Sequence, residues 1–123
     1  MGMPTEGIIA KATIQRLVRE VPTCELKDNL VDVKPRIPSD WNICVVIDPK
    51  RIVLGLVDMN VVQNSQGSIE DLMKPAPLTL RPGVLTADAL AHFEKSHLVF
   101  ALVTRSTGEL MGAIRRNDLE IGT

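Results

Sequence analysis

Apolar and polar positions along the chain make two passes of one pattern. Thr13-Ile14-Gln15-Arg16-Leu17-Val18, with Pro22 shortly after, returns as Ser68-Ile69-Glu70-Asp71-Leu72-Met73, with Pro75 and Pro77 after it. Ile14, Leu17 and Val18 share one face of a helical turn, as do Ile69, Leu72 and Met73. Each opening runs on to an apolar strand, a turn and a second apolar strand carrying a glycine. In the first pass these are Ile43-Cys44-Val45-Val46-Ile47 and Ile52-Val53-Leu54-Gly55-Leu56-Val57. In the second they are Leu98-Val99-Phe100-Ala101-Leu102-Val103 and Leu110-Met111-Gly112-Ala113-Ile114. Ile14 and Ile69 stand 55 residues apart, and Gly55 and Gly112 stand 57 apart. Two copies of one small unit share a core and leave clefts at their seam.

Thr13 and Ser68 are placed as helix N-caps, their hydroxyl oxygens accepting from free N–H groups of the first turn. Asp71, three residues after Ser68, approaches a capping box. Pro22 and Pro75 are expected to end these helices, because proline lacks the N–H and constrains the residue before it. In the second copy Leu78-Thr79-Leu80 predicts a short strand and Arg81-Pro82-Gly83 a turn. Leu85 to Ser96 predicts a helix with Leu85, Ala89 and Phe93 on one stripe. Arg105-Ser106-Thr107-Gly108 joins the two strands as a hairpin turn. The first copy repeats the order helix, strand, helix, strand, strand less cleanly. Its second helix falls between Leu30 and Asp40, where Pro35 and Pro38 predict an irregular or very short one. Asp48-Pro49-Lys50-Arg51 is its hairpin turn. Gln63 to Gly67 is polar and reads as a linker, which places the repeats at 12–63 and 68–120.

A chain of 123 residues with 45% hydrophobic positions has one domain's worth of core. That core is aliphatic, since Trp41, Phe93 and Phe100 are the aromatic residues. A formal net charge of −1 argues against a nucleic-acid partner, which calls for a basic stripe. No apolar run approaches the length of a spanning helix, and Met1 to Lys11 carries only the short patch Ile8-Ile9-Ala10, so the expectation is a cytoplasmic protein with no membrane role. Cys24 and Cys44 are expected to be reduced structural thiols. His92 and His97 lie five apart, off the spacing of a helical metal pair, and no zinc signature, phosphate loop or nucleophile elbow is present. Nothing points to an enzyme.

The repeated order, with a glycine late in each unit, resembles a tandem CBS domain pair, or Bateman module. Ser68-Ile69-Glu70-Asp71-Leu72-Met73 followed by Pro77-Leu78-Thr79 is similar to the family's opening. Gly112-Ala113-Ile114-Arg115-Arg116-Asn117-Asp118-Leu119 is similar to its closing motif: Gly, two apolar or variable positions, Thr or Ser, two variable positions, then Asp. The resemblance covers about Ala12 to Glu120. It implies an α/β (α+β) fold of two β-α-β-β-α-type repeats packed through their small sheets into one pseudo-two-fold module. It also implies a regulatory role, with an adenosyl compound such as AMP, ADP, ATP or S-adenosylmethionine in a cleft between the copies and an attached or separate effector. Some pairs of this family bind no nucleotide and serve as dimerisation modules.

By this resemblance Asp118 holds the ribose hydroxyls, which suits a carboxylate acceptor. Its alternative role is a first-turn acid on a short terminal helix. Arg115 stands where the family has a hydroxyl. A guanidinium there binds phosphate bidentately, unless Arg115 and Arg116 form a solvated pair. Ala113 and Ile114 complete the motif. The facing wall of that cleft matches Ala12, Thr13, Trp41, Asn42 and Ile43. Trp41 has a stacking role on adenine, in the range of about 1–3 kcal/mol per base, or a packing role in the core or a dimer interface. The first copy diverges. It has Asp58 at the hydroxyl position and Val61 at the Asp position, with Asn60 one residue early, so at most one nucleotide per chain is expected. A homodimer is the other expectation, through any exposed face of Leu17, Val18, Leu72, Met73 and Phe93.

Overall fold

The computed structural model describes residues 12–62, 66–76 and 78–122. Met1 to Lys11, Pro77 and most of the linker read at 63–67 lie outside the described residues. A 3-10 turn at Ile14–Leu17 opens the first repeat. Strand β1 (Thr23–Cys24) and helix α1 (Leu30–Val33) follow, and α1 runs straight into a 3-10 turn at Lys34–Arg36. Strands β2 (Ile43–Ile47) and β3 (Val53–Asp58) and helix α2 (Met59–Val62) complete it. The second repeat is α3 (Ile69–Leu72), β4 (Thr79–Leu80), α4 (Thr86–Ser96), β5 (Phe100–Thr104), β6 (Leu110–Arg115) and α5 (Arg116–Gly122). The irregular stretch expected after Leu30 has its cause in Pro35, which sits in the first turn of the 3-10 segment and ends the α-helical ladder at Val33.

Two three-stranded sheets result, ordered β1-β2-β3 and β4-β5-β6. Their registers match element for element. Thr23 pairs with Val45 as Thr79 pairs with Leu102, both in parallel. Ile43 faces Asp58 as Phe100 faces Arg115. Each hairpin slips register at the same place, between Val46 and Ile47 and between Val103 and Thr104. Alternation then sorts the side chains. Trp41, Ile43, Val45, Leu56, Leu102, Leu110 and Ala113 fill the layer between the sheets. Cys44, Val46 and Val57 face the helices of the first repeat, while Ala101, Val103 and Ile114 pack with Ala89 and Phe93 of α4 in the second. Each fully buried Leu, Phe or Val in these layers contributes about 1.5–3 kcal/mol.

The openings cross over. Ile14, from the first repeat, is buried in the second repeat's core, and Ile69, from the second, is buried in the first's. Backbone bonds fasten both: Ile14 N–H donates to Val84 O (3.0 Å) and Ile69 N–H to Asp28 O (2.8 Å). This exchange corrects the expected helix ends. The turns stop at Leu17 and Leu72, well before Pro22 and Pro75, because the next residues pair with the other repeat. Arg19 and Ala113 exchange N–H···O bonds of 2.8 and 2.9 Å, and Lys74 and Leu56 exchange two of 2.8 Å. Thr13 has extended backbone and makes no capping bond with its side chain, whereas Ser68 Oγ accepts from Asp71 N–H at 3.3 Å. Phe93 is fully buried, and Leu17, Val18, Leu72 and Met73 are half-buried against the cores, so they do not form the open apolar face expected for a dimer. Among the described residues the exposed large aliphatics are Val31, Leu54, Val61 and Val99.

Candidate functional site

Antiparallel pairing brings the start of each hairpin's first strand beside the end of its second. In the first repeat this sets Asn42 and Ile43 next to Asp58, and in the second Val99 and Phe100 next to Arg115. The four ends meet near the pseudo-two-fold and enclose a cleft of about 410 Å³. That volume falls in the range of small-molecule sites. The first repeat lines it with Asp40, Trp41, Asn42, Ile43, Asp58 and Asn60, and the second with Val99, Phe100, Arg115, Arg116 and Asn117. Asn60 and Asn117 occupy matching positions, while the equivalent pair Asp58 and Arg115 carries opposite charges.

Each charge at the cleft has a partner. Arg115 Nη2 donates to Asp40 O (3.0 Å) and Asp40 Oδ2 (3.2 Å). Its guanidinium lies 4.1 Å from the centre of the Trp41 ring. Arg116 Nε donates to Glu120 Oε1 at 3.0 Å, an i,i+4 pair within α5. Asp58 accepts from Asn60 N–H at 3.0 Å and lies 3.8 Å from Lys74 Nζ. Asp118, in the first turn of α5 where the helix dipole favours an acid, is not among the residues that line the cleft. Arg19 grips it side-on, with Nε to Oδ2 at 2.7 Å and Nη2 to Oδ1 at 3.1 Å.

Of the residues expected from the sequence, Trp41, Asn42, Ile43 and Arg115 line one cleft. Trp41 is only 8% exposed and part of the inter-sheet layer, and Arg115 covers one face of its ring, so a guanidinium holds the stacking position expected for adenine. Thr13 is bridged to Leu85 and does not line the cleft. Ala113 and Ile114 are fully buried in core layers, so neither side chain faces the cleft as a ligand contact. Val61 is exposed and leaves the equivalent of Asp118 without a carboxylate. Sequence reasoning missed Asp40, which lines the cleft, and Arg19, which holds Asp118. Arg19 had a signal: it and Lys74 are cations at the same offset from the two openings.

Cys24 and Cys44 are buried free thiols in one core layer. The hydrogen bond between them, and burial, push the Cys44 thiol up from its ordinary range. Among the described residues no group of three or more His, Cys, Asp or Glu side chains is placed to hold a metal, and no helix is long and apolar enough to cross a membrane.

No protein-family model matches the sequence, and no curated protein matches it. Solved structures do. The CBS domains of a transcriptional regulator from Streptococcus pneumoniae superpose with a TM-score of 0.76 at 18% identity, over 89% of this chain and 98% of theirs. CBSX2 in complex with AMP gives 0.73 at 18% identity, over 89% and 93%. The CBS domain of a bacterial CNNM/CorC family Mg2+ transporter in complex with ATP gives 0.74 at 10% identity, over 98% and 92%. The fold is that of a CBS domain pair. Within this fold the cleft described above lies at the seam of the two repeats.

Proposed function

We propose that this CBS pair is a regulatory module that binds one phosphate-bearing adenine nucleotide (AMP, ADP or ATP) at the seam of its repeats. The observation that carries the reading is the convergence of Trp41, Asn42 and Ile43 from one repeat and Arg115 from the other on a single cleft, with Asp118 one residue beyond the lining residue Asn117. The chemistry is complementary to a nucleotide. Arg115 offers a planar donor set for phosphate, Asp118 a two-oxygen acceptor for a ribose diol, and Asn42, Asn60 and Asn117 both donors and acceptors. Two of the similar structures are complexes with AMP and with ATP, which supports the ligand class. Ligand and protein then communicate by geometry rather than catalysis. The cleft walls come from both repeats, so a bound ligand alters how they sit against each other and against an effector, on this polypeptide or another, in the cytoplasm. Calorimetric titration of AMP, ADP, ATP and S-adenosylmethionine tests the reading. It predicts saturable binding of the nucleotides at one per chain, and absence of heat from well-folded protein at millimolar ligand contradicts it.

A second reading, self-association as a homodimer, has one observation in its favour. Val31 on α1 and Val61 on α2 are 73% and 70% exposed, on helices of the same repeat. Light scattering with Val31→Asp and Val61→Asp distinguishes it: a dimer that these changes dissociate supports it, and a monomer at high concentration removes it.

A further inference from the structure

Arg19 does not line the cleft, but it is fastened to β6, the strand whose end does. Arg19 and Ala113 exchange both backbone hydrogen bonds, which makes them a directly opposed antiparallel pair with side chains on one face. Arg115 lies two residues along β6 and shares that face, within the diagonal reach of long side chains. The two guanidiniums therefore rise from the same face of one ribbon, with Arg115 lining the cleft. Each is held by a carboxylate: Arg19 by Asp118 at 2.7 and 3.1 Å, Arg115 by Asp40 at 3.2 Å. Arg19 is 54% exposed, so its pair with Asp118 is screened and weak enough for a stronger anion to displace. A phosphate dianion is such an anion, since it accepts bidentately from guanidinium.

We propose that Arg19 and Arg115 form a two-guanidinium phosphate clamp that Asp118 and Asp40 occupy in the free protein. A ligand phosphate takes Arg19 from Asp118, and the released carboxylate turns its two oxygens to the ribose diol. Arg19 thereby sets specificity. An uncharged nucleoside has nothing to offer the guanidinium and must compete with it for Asp118, whereas a nucleoside monophosphate satisfies both groups. This inference rests on the nucleotide reading above and adds to it a residue and a rule of selection.

The test is calorimetric titration of AMP and of adenosine into the wild-type chain, Arg19→Ala and Arg19→Lys, each first checked for folding by thermal unfolding. Wild type is expected to prefer AMP over adenosine by at least roughly tenfold, the scale of one charged hydrogen-bonded contact. In Arg19→Ala the AMP affinity falls about tenfold and that for adenosine rises, because Asp118 is free. Arg19→Lys restores part of the preference. Equal binding of AMP and adenosine by wild type, or an unchanged preference in Arg19→Ala, overturns the clamp and leaves the nucleotide reading standing. Wild-type protein that binds neither ligand overturns both.

Discussion

Gly112 faces the backbone of Arg19 so closely that a Cβ there would press into the Arg19 carbonyl and come within 2.7 Å of Val18 Cγ1. Its φ of 150° is also one that side-chain-bearing residues avoid. Gly55 meets Lys74 O at 2.7 Å from the equivalent position without that φ. Gly112→Ala is therefore expected to lose about 3 kcal/mol and Gly55→Ala about 1–2, from overpacking with and without backbone strain, as read by urea unfolding. Equal losses would contradict the asymmetry. Asp118→Ala removes an exposed ion pair worth no more than about 1 kcal/mol, so its melting temperature should hardly move while nucleotide affinity drops by about 1–3 kcal/mol. A mutant that binds normally takes Asp118 out of the site. The cysteines give a third outcome at this scale. The thiol–thiol hydrogen bond and burial keep Cys44 protonated above its ordinary range, so it should resist alkylation in the native protein and react once denaturant is added. What sequence could not show here is partner choice. Trp41 was legible as a cleft residue, but Arg115, 74 positions away, covers its ring. That depends on packing across the seam, which no local pattern encodes.

At the scale of elements, strands and the long helix were legible because their periodicity is strong. Thr86–Ser96 buries Ala89 and Phe93 on one stripe and ends at His97, whose left-handed φ of 57° and N–H bond to Phe93 O close the helix. Phe93 is fully buried, so Phe93→Ala should cost about 3–5 kcal/mol, whereas Val31→Ala on α1 should stay within about 0.5. Comparable losses at the two sites would mean that Val31 is covered in solution. The short openings were misread in their ends. Helical spacing gives correct start positions, but Val18 and Met73 turn extended because Arg19 and Lys74 pair with the other repeat. A tertiary hydrogen bond overrode a local stop signal, and the proline positions carried no information about it.

The whole molecule is defined by that exchange. Sequence divides the chain into two consecutive copies, while the cores divide it differently, with Ile14 completing the second and Ile69 the first. Each half lacks a fully buried residue that the other supplies, so unfolding should be one cooperative transition. Ile14→Ala and Ile69→Ala should each shift that single transition by about 3 kcal/mol. Two separable transitions would show that the repeats fold independently. The same seam carries the site. The matched registers made two equivalent clefts conceivable, but the strand ends of both repeats line one cleft, and its two halves are unequal: Arg115 stands in one where Asp58 stands in the other, and Asp118 is answered by Val61. Titration of AMP into the folded wild-type chain, followed by calorimetry, tests this account most directly. It predicts saturation at one nucleotide per chain, and saturation at two, or no heat at millimolar AMP, would contradict it.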